Sequence, residues 1–302
     1  MIEQLKKEFI KFEINLEQRF ILGISGGPDS MCLLNLMKDQ NIVVAHVNYM
    51  KRKDSYIDQE IVENYCKKYS IPCFVKTIND WKNYKGNFQT VAREIRYDYY
   101  LEIAQKFNSN IILLAHQKDD FLEQAIMQEN SKRNPLFFGI KQINKINNLT
   151  IFRPLINLFW KVETEDYCKK NDVKFAVDFT NDLPIYTRNK IRLELKNWTV
   201  KNKQNKLDFF KNKNLENEKI ETLLSQQYEI FKSSNFDLKT IEHIENKELF
   251  VFKLINANFP QVKLTSGKIK SLCDFLWSKN STKQYKLNDN YSLVKKRGKL
   301  IF

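Results

Sequence analysis

The sequence predicts an α/β protein: a doubly wound, mostly parallel sheet, then a helical linker and a small α+β C-terminal domain. Three observations predict it. Short apolar runs alternate with amphipathic stretches through the first half. Polar residues cluster just beyond the ends of those runs. From residue 188 the alternation gives way to a basic helical segment and then to a short tail.

Taken in order, MIEQLKKEFIKFEINLEQRF mixes acids and bases with apolar residues at helical spacing. It resembles neither a secretory apolar region nor an Arg-rich transit peptide, so a cytoplasmic location is expected. The runs at 20–24, 42–47, 73–78 and 111–115 read as strands, and 29–38, 54–69 and 87–107 as helices between them. In the last helix Val91, Ile95 and Tyr99 recur every four residues and share a face. An apolar run resumes at 151–156, followed by a helical stretch at 160–170. The expected division is a catalytic domain at 1–200, a basic helical linker at 201–235 and a C-terminal module at 236–302. In that module a helix over 266–277 precedes two short strands turning at 288–290.

The totals exclude several classes. A chain of 302 residues suits one domain of ordinary size and a smaller one. No stretch approaches the roughly 20 apolar residues needed to span a bilayer, so no membrane partner is expected. Cys32, Cys66, Cys73, Cys168 and Cys273 form no CxxC pair, which argues against a disulfide framework or a zinc ribbon. The net charge of +14 fits a polyanionic partner such as nucleic acid. Lys shares AT-rich codons with the abundant Asn, Ile and Phe, which weakens charge as a signal.

The chemistry sits at the strand ends, where open parallel sheets bind ligands. Ser25-Gly26-Gly27-Pro28-Asp29-Ser30 follows the first run and opens an apolar helix. Its glycines let backbone approach an anion, and the helix offers free N–H groups and a positive dipole end. Asp29 suits a magnesium ion and Ser30 a phosphate oxygen. The loop lacks the Lys-Ser/Thr pair of a Walker A motif. His46 and Asn48 close the second run. After the fourth come His116, Asp119, Asp120 and Glu123, and Asp120 and Glu123 at i, i+3 share a helix face. Clustered carboxylates call for a cation, either Mg²⁺ or an amine substrate; a solvated acidic helix start is the plainer alternative. Arg93 and Arg96, and TRNKIR with Arg188, Asn189 and Arg192, offer guanidiniums for phosphate or carboxylate, against the alternative of ordinary surface arginines.

SGGxDS after a strand resembles the PP-loop of the N-type ATP pyrophosphatases, whose fold is adenine nucleotide alpha-hydrolase-like and which leave AMP on a substrate oxygen. SGGPDS, HVN, AREIRY, AHQKDDFLEQ, FRPLI and DFTN…TRNKIR together follow the order and spacing of the tRNA(Ile)-lysidine synthetases over about the first two-thirds of the chain. The sequence departs from that pattern at Tyr49, Gln117 and Gln124, and the usual Gly-rich stretch after the acidic helix is replaced at 129–134.

The resemblance implies a ligase that joins free L-lysine to C2 of the wobble cytidine of the CAU-anticodon tRNA(Ile), using ATP and releasing AMP and pyrophosphate. It implies ATP binding by Ser25, Gly26, Gly27, Pro28, Asp29, Ser30, His46, Arg93 and Arg96, and catalysis by Asp29, His116, Asp120 and Glu123. Asp29 and Asp120 would hold Mg²⁺, and Asp120, Glu123, Arg188, Asn189 and Arg192 would bind lysine or tRNA. A homodimer is one expected assembly. The rivals are another PP-loop tRNA-modifying enzyme, such as a thiolase, and a non-catalytic RNA-binding protein.

Overall fold

The computed structural model describes residues 1–51, 54–79, 88–131, 135–146, 149–177, 187–278 and 283–302. The start of the expected 87–107 helix, the DFTN motif at 178–181 and the 132–134 part of the substituted stretch lie outside them. The chain divides into two units, Met1–Lys211 and Asn212–Phe302.

In the first unit, helix α1 (Ile2–Lys11) precedes β1 (Phe20–Gly23), α2 (Pro28–Met37), β2 (Ile42–Asn48), α3 (Ser55–Lys68), β3 (Cys73–Thr77), α4 (Phe88–Lys106), β4 (Ile111–Leu114) and α5 (Lys118–Asn130). Then come β5 (Ile143–Ile146), β6 (Leu149–Phe152), α6 (Lys161–Lys170), α7 (Thr187–Lys196) and α8 (Val200–Ser233). The sheet has the order β3-β2-β1-β4-β6-β5. Its pairings are parallel except β5 with β6, which is antiparallel.

β1 is buried on both faces, as a central parallel strand must be. Phe20 and Leu22 pack on one side with Leu5, Phe9, Met31, Leu34, Val62 and Cys168, from α1, α2, α3 and α6. Ile21 faces the other way, toward Tyr99, Tyr100 and Ile103 of α4. From β1 the chain winds outward through β2 and β3, then returns to lay β4 on the opposite flank of β1. That reversal leaves a crevice beyond the carboxyl ends of β1 and β4.

The second unit takes the chain onward within α8 and adds a 3₁₀ turn (Leu238–Ile241), α9 (Lys247–Asn258), α10 (Ser266–Trp277) and a three-stranded antiparallel sheet of β7 (Lys283–Lys286), β8 (Ser292–Lys296) and β9 (Lys299–Ile301). The expected tail held one helix and two strands; the third strand follows a turn at Arg297-Gly298, where Gly298 adopts φ +76°. Lys295 of β8 is buried, and its ammonium donates to the carbonyl oxygens of Phe275 (3.2 Å) and Leu276 (3.3 Å) at the end of α10. A cation there satisfies the orphan carbonyls that every helix C-terminus leaves.

Candidate active site

The loop between β1 and α2 is shaped by its glycines. Gly26 adopts φ +89°, and a Cβ there would lie 2.9 Å from the Asp58 carbonyl oxygen of α3. Gly27 is the extended N-cap, and Pro28 supplies a preset φ at the first turn of α2. Ser30 Oγ donates to the Gly27 carbonyl (2.8 Å) and accepts from the Ser25 N–H (3.3 Å), folding the loop over the helix start. Gly26→Ala is therefore expected to cost about 1–3 kcal/mol from backbone strain alone. A thermal melt beside a pyrophosphate-release assay checks it, and both must fall.

His46 on β2 is 2% exposed. Its Nδ1 lies 2.8 Å from the Ile24 carbonyl oxygen, to which it can only donate. Nε2 is then an acceptor, and it has no protein partner among the described residues. Burial lowers the pKa of this ring, so it is neutral beside the loop.

Asp29, in the first turn of α2, accepts a hydrogen bond from the Thr164 hydroxyl of α6. Burial and the nearby charge of Asp120 push its carboxyl up to about 7 from an ordinary 3.8. The nearby charge of Lys161 offsets this only in part.

Across the crevice, β4 leads through His116 into α5. Gln117 caps the helix: its side chain accepts from the Asp119 N–H (2.6 Å), while the Asp120 carboxylate accepts from the Gln117 N–H (3.1 Å). A ladder of ion pairs runs along α5. Lys203 Nζ lies 2.6 Å from Asp119, Arg188 Nη2 3.0 Å from Asp120, and Lys206 Nζ 2.8 Å from Glu129. Glu123 is 3% exposed and accepts from Arg188 Nε and Arg192 Nε, each at 2.7 Å, and from Arg192 Nη2 at 3.0 Å.

His116 is partly buried and its pKa falls well below 6.5, first through desolvation and then through the charges of Arg153, Arg188, Arg96 and Arg93. Four guanidiniums from three separate parts of the chain thus act on one ring. Arg153 follows β6, is 3% exposed, and donates to the Lys141 carbonyl (2.9 Å) and to Asn144 Oδ1 (2.6 Å). Its Nε and the His116 Nδ1 are buried with no hydrogen-bond partner among the described residues. Arginine-rich surroundings of this kind suit an anion. Arg93 and Arg96 are exposed on α4, with Arg93 stacked 4.7 Å over the Tyr97 ring.

Residues 1–198 match the family described as the PP-loop domain, an ATP-using fold. The chain is 36% identical to the tRNA(Ile)-lysidine synthase of Malacoplasma penetrans over 95% of this chain and 99% of that one. The chain belongs to the tRNA(Ile)-lysidine synthase family.

Identity to the lysidine synthase of Mycoplasmopsis pulmonis is 37%, covering 91% of this chain and 96% of that one. With that of Mycoplasma genitalium it is 43% over 61% of this chain, a match spanning 63% of that protein, just under two-thirds of its length. A U34-tRNA thiolase of Methanococcus maripaludis superposes with a TM-score of 0.59 at 14% identity, covering 72% of this chain and 77% of that one, which shows a shared fold.

Within the lysidine synthase family pattern, the departures have structural partners here. The Tyr49 hydroxyl donates to the Ala92 carbonyl (2.6 Å), tying β2 to α4, and Gln117 is the α5 cap. The expected residues fall into two groups around the crevice. The loop at 25–30 and His46 line one side; His116, Asp120, Glu123, Arg188 and Arg192 line the other, with Asn189 partly buried on α7 beside them. Arg153, Thr164 and Lys203 join the site without having been singled out. Arg153 lay in the quoted FRPLI, and its place between two apolar segments was the available signal.

Proposed function

We propose that this chain uses ATP to activate C2 of the wobble cytidine of a CAU-anticodon tRNA(Ile) and then joins it to the ε-amine of free lysine. The observation that carries this reading is the meeting of Asp29, Asp120 and Glu123 with four arginines at the switch point between β1 and β4. Carboxylates for a metal or an amine there stand beside guanidiniums for phosphate or carboxylate.

The loop at 25–30 receives the β- and γ-phosphates on the N-terminus of α2. His46 Nε2 accepts from a hydroxyl or amino group of the nucleotide. The raised pKa of Asp29 beside Asp120 fits a divalent cation, so these two carboxylates would hold Mg²⁺, which when bound neutralises and orients phosphate oxygens. The cytidine C2 oxygen attacks the α-phosphorus and pyrophosphate leaves. Arg93, Arg96 and Arg153 offset the charge that develops on phosphate. The lysine nitrogen then forms its bond to C2 as the C2–O bond breaks, and AMP departs with that oxygen.

The ε-ammonium, with a pKa near 10.4, must first lose a proton. His116 is a poor acceptor, because the arginines around it oppose a second positive charge. It serves as a neutral hydrogen-bond partner, and a carboxylate of the crevice accepts the proton. Glu123 already holds two guanidiniums and orients them for the lysine carboxylate.

Incubation with ATP, labelled lysine and a bulk tRNA pool tests the whole reading. Label is expected on one CAU-anticodon tRNA, with AMP and pyrophosphate formed in equal amounts. Sulfur transfer instead of lysine transfer would identify a thiolase-type enzyme, and tight tRNA binding without AMP release a binding protein; either result sinks the proposal.

A further inference from the structure

A cavity among the described residues lies outside the crevice. It measures about 440 Å³ and is lined by Trp198, Asn202, Asn205, Lys206 and Phe209, all within the first unit. That volume falls within the roughly 300–1,000 Å³ typical of small-ligand sites. Trp198 precedes α8, and the other four follow at the spacing of one helix face, while Leu207 and Phe210 beside them are fully buried. Phe209 is 42% exposed, an unusual placement for an aromatic beside a lysine-rich face.

We infer that this cavity receives an unpaired nucleobase of the tRNA, flanking the one that enters the crevice; the inference rests on the function proposed above. An indole and a phenyl ring offer a stacking surface that any base can use. Two carboxamides offer both donor and acceptor to a Watson–Crick edge. Lys206 Nζ, 4.7 Å above the Phe209 ring and paired with Glu129, supplies positive charge at the rim for a neighbouring phosphate. Glu129 fixes the position of the cavity relative to the chemistry, since it lies nine residues after Asp120 on α5, about 13 Å along the helix axis. Unstacked nucleotides on either side of a flipped base span such a distance, whereas a stacked duplex would hold neighbouring bases too close together.

The test uses an anticodon stem-loop RNA with a CAU loop and a set of the same RNA with an abasic site at each loop position in turn. Phe209→Ala is expected to weaken binding of the intact stem-loop about 5- to 150-fold, the span that loss of one base–aromatic stack produces, and Asn205→Ala to weaken it as well. Affinity for ATP alone should not move. One abasic RNA should bind the wild type as weakly as the intact RNA binds Phe209→Ala, with no further loss when the two changes are combined. Photocrosslinking of halogenated stem-loops to the wild type should map to Trp198 or Phe209. Unchanged binding by the variants, additive losses with every abasic RNA, or crosslinks confined to other residues overturns the inference. Phe209→Tyr retains the stack and should bind like wild type, so a loss there as well would mean that folding rather than base contact was disturbed and would also overturn it. If the protein binds the stem-loop through this cavity but transfers no lysine, the function proposed above fails while the cavity assignment stands.

Discussion

Asp29→Asn is expected to abolish tRNA-dependent pyrophosphate release and at the same time to raise the melting temperature of the ligand-free protein. Both effects come from one carboxyl. In the folded chain its pKa is about 7, against 3.8 when unfolded, because burial and Asp120 oppose its ionisation. A group whose folded pKa is raised gives stability that is fully present below pH 4 and is lost as pH rises through 7. Above that pH the native state carries a strained carboxylate worth a few kcal/mol at most, since part of its charge is screened by solvent. Asparagine keeps an oxygen for the Thr164 hydroxyl and removes the charge. The variant should therefore melt several degrees above wild type at pH 8 and close to it at pH 4. Melting curves for the two proteins that stay parallel across this range would show that the carboxylate is not strained. With Mg²⁺ and ATP the wild type should recover the difference, because the cation offsets the carboxylate's charge, and the variant should not.

Glu123→Ala has the other large effect. This carboxylate is nearly inaccessible and holds two arginines through three hydrogen bonds, so its removal leaves positive charges facing each other in a half-dry site. Breaking a buried pair costs about 3–5 kcal/mol. Here the loss should approach about 2–3 kcal/mol, because Arg188 keeps Asp120 and both guanidiniums reach solvent. The KM for lysine is expected to rise at least about tenfold, the effect of about 1.4 kcal/mol, with a smaller fall in pyrophosphate release. Glu123→Gln preserves shape and should recover much of the stability but little of the lysine use. Equal losses in the two half-reactions for either variant would remove Glu123 from the lysine site.

β1 and β4 could be read because each is a continuous apolar run, the form taken by strands covered on both faces. Ile143–Ile146 escaped because Asn144 and Lys145 interrupt it, and an edge strand needs only one buried face. The third strand of the tail is three residues long, too short to carry a period. At the site, the loop and the acidic cluster were legible as local patterns. Arg153 was passed over because the Tyr97 it meets lies 56 positions earlier in the chain. Lys203 and Lys206 were hidden by composition: in a segment crowded with lysines nothing marks the two that meet Asp119 and Glu129.

The α5 ladder also bears on how such a protein can change over generations. Asp119, Asp120, Glu123 and Glu129 are each matched to a cation that lies 65 or more positions further along the chain. A drift at one rung leaves a charge stranded on the other, so the two stretches are inherited as a pair. A hybrid gene that took one stretch from a distant relative without the other would encode a protein with every catalytic residue present and the site electrostatically mismatched.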